Sequence, residues 1–374
     1  MSMTVSSEQA LLPPQRVVVT GGAGAIGSHL VDWLVAEGHQ VCVLDDLSTG
    51  STAHLAPLLR DGHVRLVTGS VLDPRLVARE LKHAGTVFHL AAAVGVRRIV
   101  DDPLGSLRTN LIGTENVLHA CADNGCRVVL ASSSEVYGKV SRIPMAESGD
   151  RLLGPTTVPR WSYAAAKAVD EHLAFAYAAT GLHVSVVRYF NSYGPRMDRA
   201  GDASVIAVFL RHALANKPVP IHGDGQQTRC FTYITDTVRG TLLAAAVPQA
   251  RGQAFNIGSA TETSIASLAE VVAAAAGSRA PTEPVPYASV YGARFEDVRR
   301  RVPDIRLARE VLGWAPQVTL ADGLERTIAW WSEEQRSEEQ RSEEQRSEGD
   351  LSEEDERSED EERSGRAERA DDHD

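Results

Sequence analysis

The chain has 374 residues and a formal net charge of −12, with 50 acidic and 38 basic side chains. Residues 332–374 hold 20 acidic and 7 basic side chains, which leaves 30 acidic and 31 basic ones in the rest. This neutral body disfavours a nucleic-acid partner, and no run approaches the ~20 apolar residues of a membrane span.

The N-terminus lacks a secretory pattern. The four scattered cysteines fit reduced thiols and no metal site, so we expect a cytoplasmic protein.

The first predicted elements form a strand, turn, helix and strand in residues 16–46. The β-branched run 16–20 predicts a buried strand that ends at a glycine-rich turn, residues 21–27. A helix is predicted after this turn as far as Gly38, and a second strand at residues 40–44. The backbone amides of such a turn can donate hydrogen bonds to a pyrophosphate, and the carboxylate of Asp45 can accept them from ribose hydroxyls. The pattern predicts a dinucleotide, and Asp45 and Asp46 favour NAD because they would repel a 2′-phosphate.

Strands and helices alternate through the rest of residues 14–190. Small residues, Ala91, Ala92 and Ala93, follow one predicted strand and leave room for a ligand at the carboxyl edge of the sheet. The alternation predicts an α/β fold with a Rossmann-type doubly wound parallel sheet. Strands are predicted at 64–68, 86–90, 127–131 and 183–188, and helices at 74–82, 101–124 and 161–180.

The alternation changes after residue 190, so residues 191–331 are predicted to form a smaller α+β lobe, and residues 1–13 an extension. A second ligand is expected in the cleft between the lobes. The acidic tail, residues 332–374, begins with a repeated SEEQR sequence and is expected to be disordered or loosely helical. Helices are predicted at 205–215, 236–246, 265–276, 304–312 and 320–331, and strands at 254–257 and on both sides of a turn at 223–225, namely 218–222 and 229–233.

Tyr163 and Lys167 stand four residues apart and therefore share one face of a predicted helix. A tyrosine with its ordinary pKa of ~10 is a poor base, but a nearby cation favours the phenolate. The strand that ends at Ala131 leads into a hydroxyl-rich run that contains Ser133. Such a pair often arises by chance, but its place after five strands of a dinucleotide fold predicts a catalytic pair.

Over about residues 14–330 the chain resembles the extended short-chain dehydrogenase/reductase family that modifies nucleotide sugars. The tail has no counterpart in that family. The resemblance is carried by Tyr163 with Lys167, by residues 109–110, and by TGGAGAIG at 20–27, HLAA at 89–92, SSEVYG at 133–138, RYFNSYGPR at 188–196, GDGQQTR at 223–229 and FNIG at 255–258.

The resemblance implies a tightly held NAD that is reduced and reoxidised within one turnover. Tyr163 would take the proton of the sugar 4-hydroxyl while C4 gives a hydride, and Ser133 would orient the hydroxyl. Lys167 would tune the tyrosine and hold the nicotinamide ribose. The implied cofactor-binding residues are Gly21, Gly24, Ala25, Ile26, Gly27, Asp45, Asp46, Leu90, Ala91, Ala92, Tyr163 and Lys167.

The resemblance also implies a UDP-sugar substrate and a homodimer formed through the predicted helices 101–124 and 161–180. Asn191, Arg229 and Arg301 would hold the nucleotide diphosphate. For the two arginines a surface salt bridge is the alternative interpretation.

The fate of the 4-keto intermediate separates the members of this family. Dehydratases typically carry an Asp-Glu pair after the hydroxyl residue, whereas this chain carries Ser134 and Glu135, which counts against dehydration. Two activities toward UDP-glucuronate remain. Segments 133–137, 194–197 and 301–305 resemble decarboxylases, whereas segments 91–96 and 154–163 resemble 4-epimerases, including uronate epimerases of antibiotic pathways such as that of moenomycin.

Chemistry bears on this choice because a 4-keto uronate is a β-keto acid that loses CO2 easily. Ser133, Ser134 and Arg196 would restrain the carboxylate in an epimerase, whereas Glu135 beside it would be repulsive. We expect 4-epimerisation of UDP-glucuronate to UDP-galacturonate, with decarboxylation to UDP-xylose or a UDP-4-keto-pentose as the alternative. A non-catalytic NAD-binding protein is a third hypothesis, which the presence of Tyr163 and Lys167 disfavours.

Overall fold

The structure is a computed structural model that describes residues 11–95, 99, 101–197, 204–291, 296–337 and 340. The chain divides into two compact units, residues 1–325 and 326–374. In the second unit, residues 326–337 and 340 are helical, and the remainder of the predicted tail lies outside the described residues. The predicted boundary between residues 190 and 191 stays a prediction.

The centre of the first unit is a parallel sheet of seven strands in the order β11-β6-β5-β4-β1-β2-β3. The strands along the chain are β1 (Arg16–Thr20), β2 (Gln40–Asp45), β3 (Val64–Thr68), β4 (Thr86–His89), β5 (Arg127–Ser133), β6 (His183–Tyr189), β7 (Ser192–Tyr193), β8 (Val219–His222), β9 (Thr228–Cys230), β10 (Thr232–Tyr233), β11 (Ala254–Ile257), β12 (Glu262–Ser264) and β13 (Thr282–Val285). The predicted doubly wound sheet is confirmed. Its strand order reverses at β1, which pairs with both β2 and β4 and marks the edge where such sheets bind ligands.

Helices cover both faces of this sheet. The helices along the chain are α1 (Ala25–Ala36), α2 (Ala56–Arg60), α3 (Pro74–Leu81), α4 (Pro103–Asn124), α5 (Arg160–Ala179), α6 (Val205–Leu214), α7 (Ile234–Ala246), α8 (Ile265–Ala275), α9 (Tyr287–Tyr291) and α10 (Arg306–Leu312). Successive strand residues point to opposite faces. Val17 and Val19 therefore pack with α1, α7 and α10, whereas Val18 packs with α3, α4 and α5.

The strands after residue 190 pair with distant parts of the chain. β8 pairs with β13, β9 with β12 and β10 with β7, so the two sides of the turn at 223–225 have different partners. The predicted strand 254–257 is β11, which joins the main sheet beside β6. Local sequence patterns predict strands but not such long-range pairing.

None of the helices in the described ranges is both long and apolar enough to span a membrane.

Candidate functional site

A cavity of about 470 Å³ opens at the carboxyl ends of the central strands. The turn after β1 lies on one side, and the segment after β5 and the first turns of α5 lie on the other. The structure therefore brings together residues from the ends of six strands, β1 to β6, and from three helices. The predicted site residues that line the cavity are Gly21, Gly24, Ala25, Ile26, Gly27, Asp45, Asp46, Leu90, Ala91, Ala92, Ser133, Ser134, Glu135, Tyr163, Lys167, Asn191 and Arg301.

The glycine turn leaves bare backbone at the cavity. Gly21 has a φ of +72°, and a Cβ there would lie 2.7 Å from the amide nitrogen of Ala91. A Cβ on Gly27 would lie 2.2 Å from the Gly21 carbonyl oxygen, whereas one on Gly24 would meet only that oxygen, at 3.4 Å. Among the described residues, no side chain caps the N-terminus of α1. These features fit a dinucleotide pyrophosphate, which needs open amides at a helix N-terminus.

Asp45 holds a fixed carboxylate at the end of β2. Its Oδ2 accepts a hydrogen bond from the Ala23 amide at 2.9 Å, and its Oδ1 accepts one from the Leu47 amide at 2.8 Å. Burial raises the pKa of Asp45, and these two hydrogen bonds oppose that effect. Each carboxylate oxygen has a second lone pair, so Asp45 can also accept hydrogen bonds from ribose hydroxyls.

Tyr163, near the start of α5, and Ser133, at the end of β5, line the same cavity. Burial raises the pKa of Tyr163, the negative charge of Glu135 raises it further, and the Ser133 hydroxyl lowers it. The net shift is opposite to the lowering expected from a neighbouring Lys167, because burial has the larger effect. In the chain alone Tyr163 is therefore a phenol at neutral pH.

Lys167 is buried and paired. Its Nζ donates a hydrogen bond to Asp170 Oδ2 at 3.2 Å, one helical turn further along α5. Asp170 was not singled out from the sequence, although its spacing of three residues from Lys167 places both on one helix face.

Glu135 is held between two arginines at the cavity wall. Its Oε1 accepts a hydrogen bond from Arg301 Nη1 at 2.8 Å, and its Oε2 lies 3.6 Å from Arg160 Nη2. Burial disfavours the charged form, but the arginine charges outweigh it and lower the pKa of Glu135 to about 2. Within the described part of the chain, Arg301 Nε and Nη2 are buried without a hydrogen-bond partner. These two N–H groups can hold a carboxylate or phosphate oxygen.

Arg160 lines the same cavity and was missed from the sequence. It precedes Tyr163 by three residues on α5, a spacing that puts both side chains on one face. Its Nη2 also lies 3.5 Å from Asp297 Oδ1, and its guanidinium lies over the Trp161 ring at 5.5 Å from the centroid. The spacing from Tyr163 could have identified Arg160 in the sequence. Its contacts with Glu135 and Asp297 could not be predicted, because these residues lie in distant segments.

The remaining predicted substrate residues make contacts within the protein. Arg229 Nη2 donates to Asp297 Oδ1 at 2.7 Å, and this ion pair is largely buried, unlike the surface salt bridge of the alternative interpretation. Arg196 Nη1 pairs with Asp32 Oδ2 on α1 at 2.7 Å. Neither arginine is among the residues that line the cavity. Asn191 Nδ2 donates to the Cys230 carbonyl at 3.1 Å. The substrate-binding roles of all three stay predictions.

Comparisons with known proteins agree with this arrangement. Residues 18–327 match the family model described as GDP-mannose 4,6 dehydratase. The UDP-N-acetyl-alpha-D-glucosaminuronate decarboxylase of Bacillus cytotoxicus is 40% identical, over 85% of this chain and 98% of its own length. The UDP-glucose 4-epimerase of Mycolicibacterium smegmatis is 38% identical, over 84% and 97%.

Among solved structures, MoeE5 in complex with UDP-glucuronic acid and NAD superposes with a TM-score of 0.73 at 34% identity, over 85% of this chain and 99% of that one. The chain is thus similar both to a decarboxylase and to a 4-epimerase, and to a structure that holds NAD beside a UDP-uronate.

Proposed function

The chain belongs to the GDP-mannose 4,6-dehydratase family of extended short-chain dehydrogenases/reductases, an NAD-dependent family, and on this basis we propose that it decarboxylates a UDP-uronate. The observation that carries the proposal is the ion pair of Glu135 with Arg301 beside Tyr163. UDP-glucuronate and its N-acetylglucosaminuronate counterpart are the candidate substrates. The dehydratase activity in the family's name is disfavoured because Ser134 stands where dehydratases carry an aspartate.

We assign NAD to the cavity. Residues 21–27 offer bare amides for its pyrophosphate, and Asp45 accepts hydrogen bonds from ribose hydroxyls. The acidic pair of Asp45 and Asp46 disfavours a 2′-phosphate at this position. When bound, NAD supplies a reversible hydride acceptor for the sugar C4.

The chain's own groups handle the proton of the 4-hydroxyl. Ser133 lines the cavity together with Tyr163, and its hydroxyl can hold the substrate oxygen. Tyr163 takes the proton as its phenolate, the form that burial disfavours in the chain alone. Lys167, held by Asp170, is the cation on this helix face that favours the phenolate. The product of this step is a ketone at C4, with the C6 carboxylate in the β position.

Glu135 then favours loss of that carboxylate. Its pKa of about 2 keeps it ionised at neutral pH, so Glu135 repels a substrate carboxylate that its arginine partners attract. Repulsion raises the free energy of the charged uronate and disappears when CO2 leaves. The free N–H groups of Arg301 can orient the departing carboxylate. In an enzyme that retains the carboxylate, this repulsion would weaken substrate binding without assisting the reaction.

The second candidate is the 4-epimerase expected from the sequence, which converts UDP-glucuronate to UDP-galacturonate. It is favoured by the hydroxyls of Ser133 and Ser134, which line the cavity next to Glu135 and can restrain a carboxylate. The 38% identical UDP-glucose 4-epimerase and the structure of MoeE5 with UDP-glucuronic acid also support it.

Product analysis separates the two candidates. The purified full chain is incubated with NAD and either UDP-glucuronate or UDP-N-acetylglucosaminuronate, and the products are identified by mass spectrometry and NMR. Loss of CO2 supports the decarboxylase. An unchanged mass with an altered sugar spectrum supports the epimerase and overturns the decarboxylase proposal. Turnover of neither compound overturns both.

A homodimer formed through α4 and α5 is part of this proposal. Large apolar side chains on these two neighbouring helices are exposed, with Leu104 at 59%, Ile112 at 45% and Val169 at 45%. A second copy would cover them. The cytoplasmic location fits the four free, buried cysteines, and it stays a prediction together with the setting in an antibiotic pathway.

A further inference from the structure

Arg188 joins the strand end and the helix that carry the predicted catalytic residues. It lies on β6, and its guanidinium donates to both carboxylate oxygens of Glu171 on α5, from Nε to Oε1 at 2.9 Å and from Nη2 to Oε2 at 2.6 Å. Ser132 Oγ, near the end of β5, donates to the same Oε1 at 2.5 Å. Arg188 and Glu171 are 6% and 4% exposed. One buried ion pair therefore connects β5, β6 and α5.

The remaining nitrogen of Arg188 contacts the segment that carries Glu135. Its Nη1 donates to Tyr137 Oη at 2.8 Å, and the guanidinium lies over the tyrosine ring at 5.0 Å from the centroid. Tyr137 is the last residue of a one-turn helix, residues 134–137. Its hydroxyl donates to Asn256 Oδ1 on β11 at 2.7 Å. The same guanidinium thus also binds the segment that follows β5.

The chemistry of the groups fixes which atom donates in each of these hydrogen bonds. A guanidinium only donates and a carboxylate only accepts, so Ser132 donates to Glu171. The Tyr137 oxygen accepts from Arg188, so its single hydrogen is directed to Asn256 Oδ1. The amide nitrogen of Asn256 donates to two backbone carbonyl oxygens, at 2.8 and 3.0 Å, which fixes the orientation of this amide. We call these five residues the Arg188 network.

Three members of the Arg188 network are close in the chain to residues that line the cavity. Ser132 immediately precedes Ser133, Glu171 follows Lys167 by one turn of α5, and Tyr137 lies two residues after Glu135. Tyr137, Glu171 and Arg188 themselves are not among the lining residues. Because a buried polar group that loses its partner is costly, the network favours one arrangement of the elements that it joins.

We propose that Arg188 is a positioning residue for the proposed reaction. It fixes α5, which carries the predicted catalytic pair, against the end of β5 and against the segment that carries Glu135. Tyr137, Arg188 and Asn256 belong to three separate sequence motifs, 133–138, 188–196 and 255–258. The Arg188 network gives these motifs one common role. The proposal rests on the proposed function.

The first test removes single hydroxyls and leaves the ion pair in place, because loss of one charge would leave its buried partner unpaired. Ser132→Ala removes the hydrogen bond to Glu171. Tyr137→Phe removes a hydroxyl outside the cavity lining, while Arg188 Nη1 keeps the Glu147 carbonyl oxygen as an acceptor at 3.1 Å. The double variant carries both changes.

We expect each single variant to lower kcat about tenfold, because small displacements of catalytic groups slow the chemical step. NAD affinity and the KM for the UDP-uronate should stay unchanged. Because both hydroxyls act through the same ion pair, the double variant should lose much less than the product of the two single losses. Losses that multiply, a rise in KM alone, or a kcat within about twofold of wild type overturn the proposal.

Ser185→Ala is the matched control. Ser185 is fully buried on β6, the strand of Arg188, but its hydroxyl donates to the Ala244 carbonyl oxygen at 2.7 Å and contacts no member of the Arg188 network. This variant should leave kcat unchanged. A loss equal to that of Ser132→Ala would mean that any buried hydroxyl of this sheet has the same effect, and the proposal would fail.

The second test needs no turnover. The full chain with NAD carries tyrosine labelled with 13C at Cζ, and the Tyr163 resonance is identified by its loss in Tyr163→Phe. We expect this resonance to shift or broaden in Tyr137→Phe but not in Ser185→Ala. An unchanged Tyr163 resonance in Tyr137→Phe overturns the positioning role. If wild type turns over no UDP-uronate while the resonance follows expectation, the proposed function fails and the positioning role stands.

Discussion

Glu135 Oε1 lies 2.8 Å from Arg301 Nη1, so two residues 166 positions apart in the sequence form an ion pair at the cavity wall. The pKa of Glu135 falls from its usual 4.5 to about 2. A lowered pKa in the folded state means that the stabilisation is fully present above pH 4.5 and is lost as the pH falls toward about 2.

We therefore expect Glu135→Gln to destabilise the protein more at pH 7 than at pH 3. Denaturant unfolding of wild type, Glu135→Gln, Arg301→Gln and the double variant at both pH values gives the coupling free energy of the pair. This coupling should shrink at the lower pH. A coupling free energy that is independent of pH would mean that Arg301 does not lower the pKa of Glu135.

Tyr163→Phe removes the proton acceptor without changing the shape of the ring. We expect kcat to fall by about 100- to 10,000-fold, the usual range for a lost general base, while NAD content stays normal. Tyr177→Phe is the control, because it makes the same substitution on the same helix outside the cavity lining. Turnover within twofold of wild type in Tyr163→Phe would refute the proposed chemistry.

Gly24 and Gly27 belong to one turn but differ in the space around them. A Cβ at Gly27 would lie 2.2 Å from a backbone oxygen, so Gly27→Ala should destabilise the fold by roughly 1–3 kcal/mol. A Cβ at Gly24 meets only ordinary contact at 3.4 Å. Gly24→Ala should therefore fold normally and bind NAD more weakly.

Thermal unfolding of the NAD-free variants and NAD titration of each measure the two effects separately. Equal NAD affinity in wild type and Gly24→Ala would contradict the assignment of the NAD pyrophosphate to this turn.

Exposed apolar side chains on α4 and α5 predict where the homodimer forms. Ile112→Asp combined with Val169→Asp should convert a dimer into a monomer, because a charged side chain would be buried in the interface. Val271→Asp, at a 37% exposed valine on α8, is the control and should remain dimeric. Sedimentation velocity at micromolar concentration measures the mass. A monomeric wild type, or a double variant that stays dimeric, contradicts the prediction.

The main sheet could be predicted from the sequence because its strands and helices alternate with clear local patterns. Residues 16–20 and 127–131, for example, lie within β1 and β5. The pairing of β8 with β13 could not be predicted, because it joins segments about sixty residues apart without a local signal. Pairing of this kind depends on packing between the strands, which a single sequence does not reveal.

The candidate site also has features that local sequence patterns predict and features that they do not. Tyr163 and Lys167 were found because a spacing of four residues is a local property of a helix. Glu135 was found by motif, but its pairing with Arg160 and Arg301 arises only when three distant segments meet. The raised pKa of Tyr163 was missed for a similar reason, since burial depends on the whole fold.

The late position of β11 in the chain determines when the main sheet can be completed during translation. β6 is followed by β7–β10 and their helices before its outer neighbour, β11, is reached at residue 254. While the ribosome is still translating that stretch, β6 has an open edge whose N–H and C=O groups can pair with another nascent chain. Only after about two thirds of the 374 residues have emerged does the edge close. Until then the unpaired edge of β6 is a site where a nascent chain can aggregate.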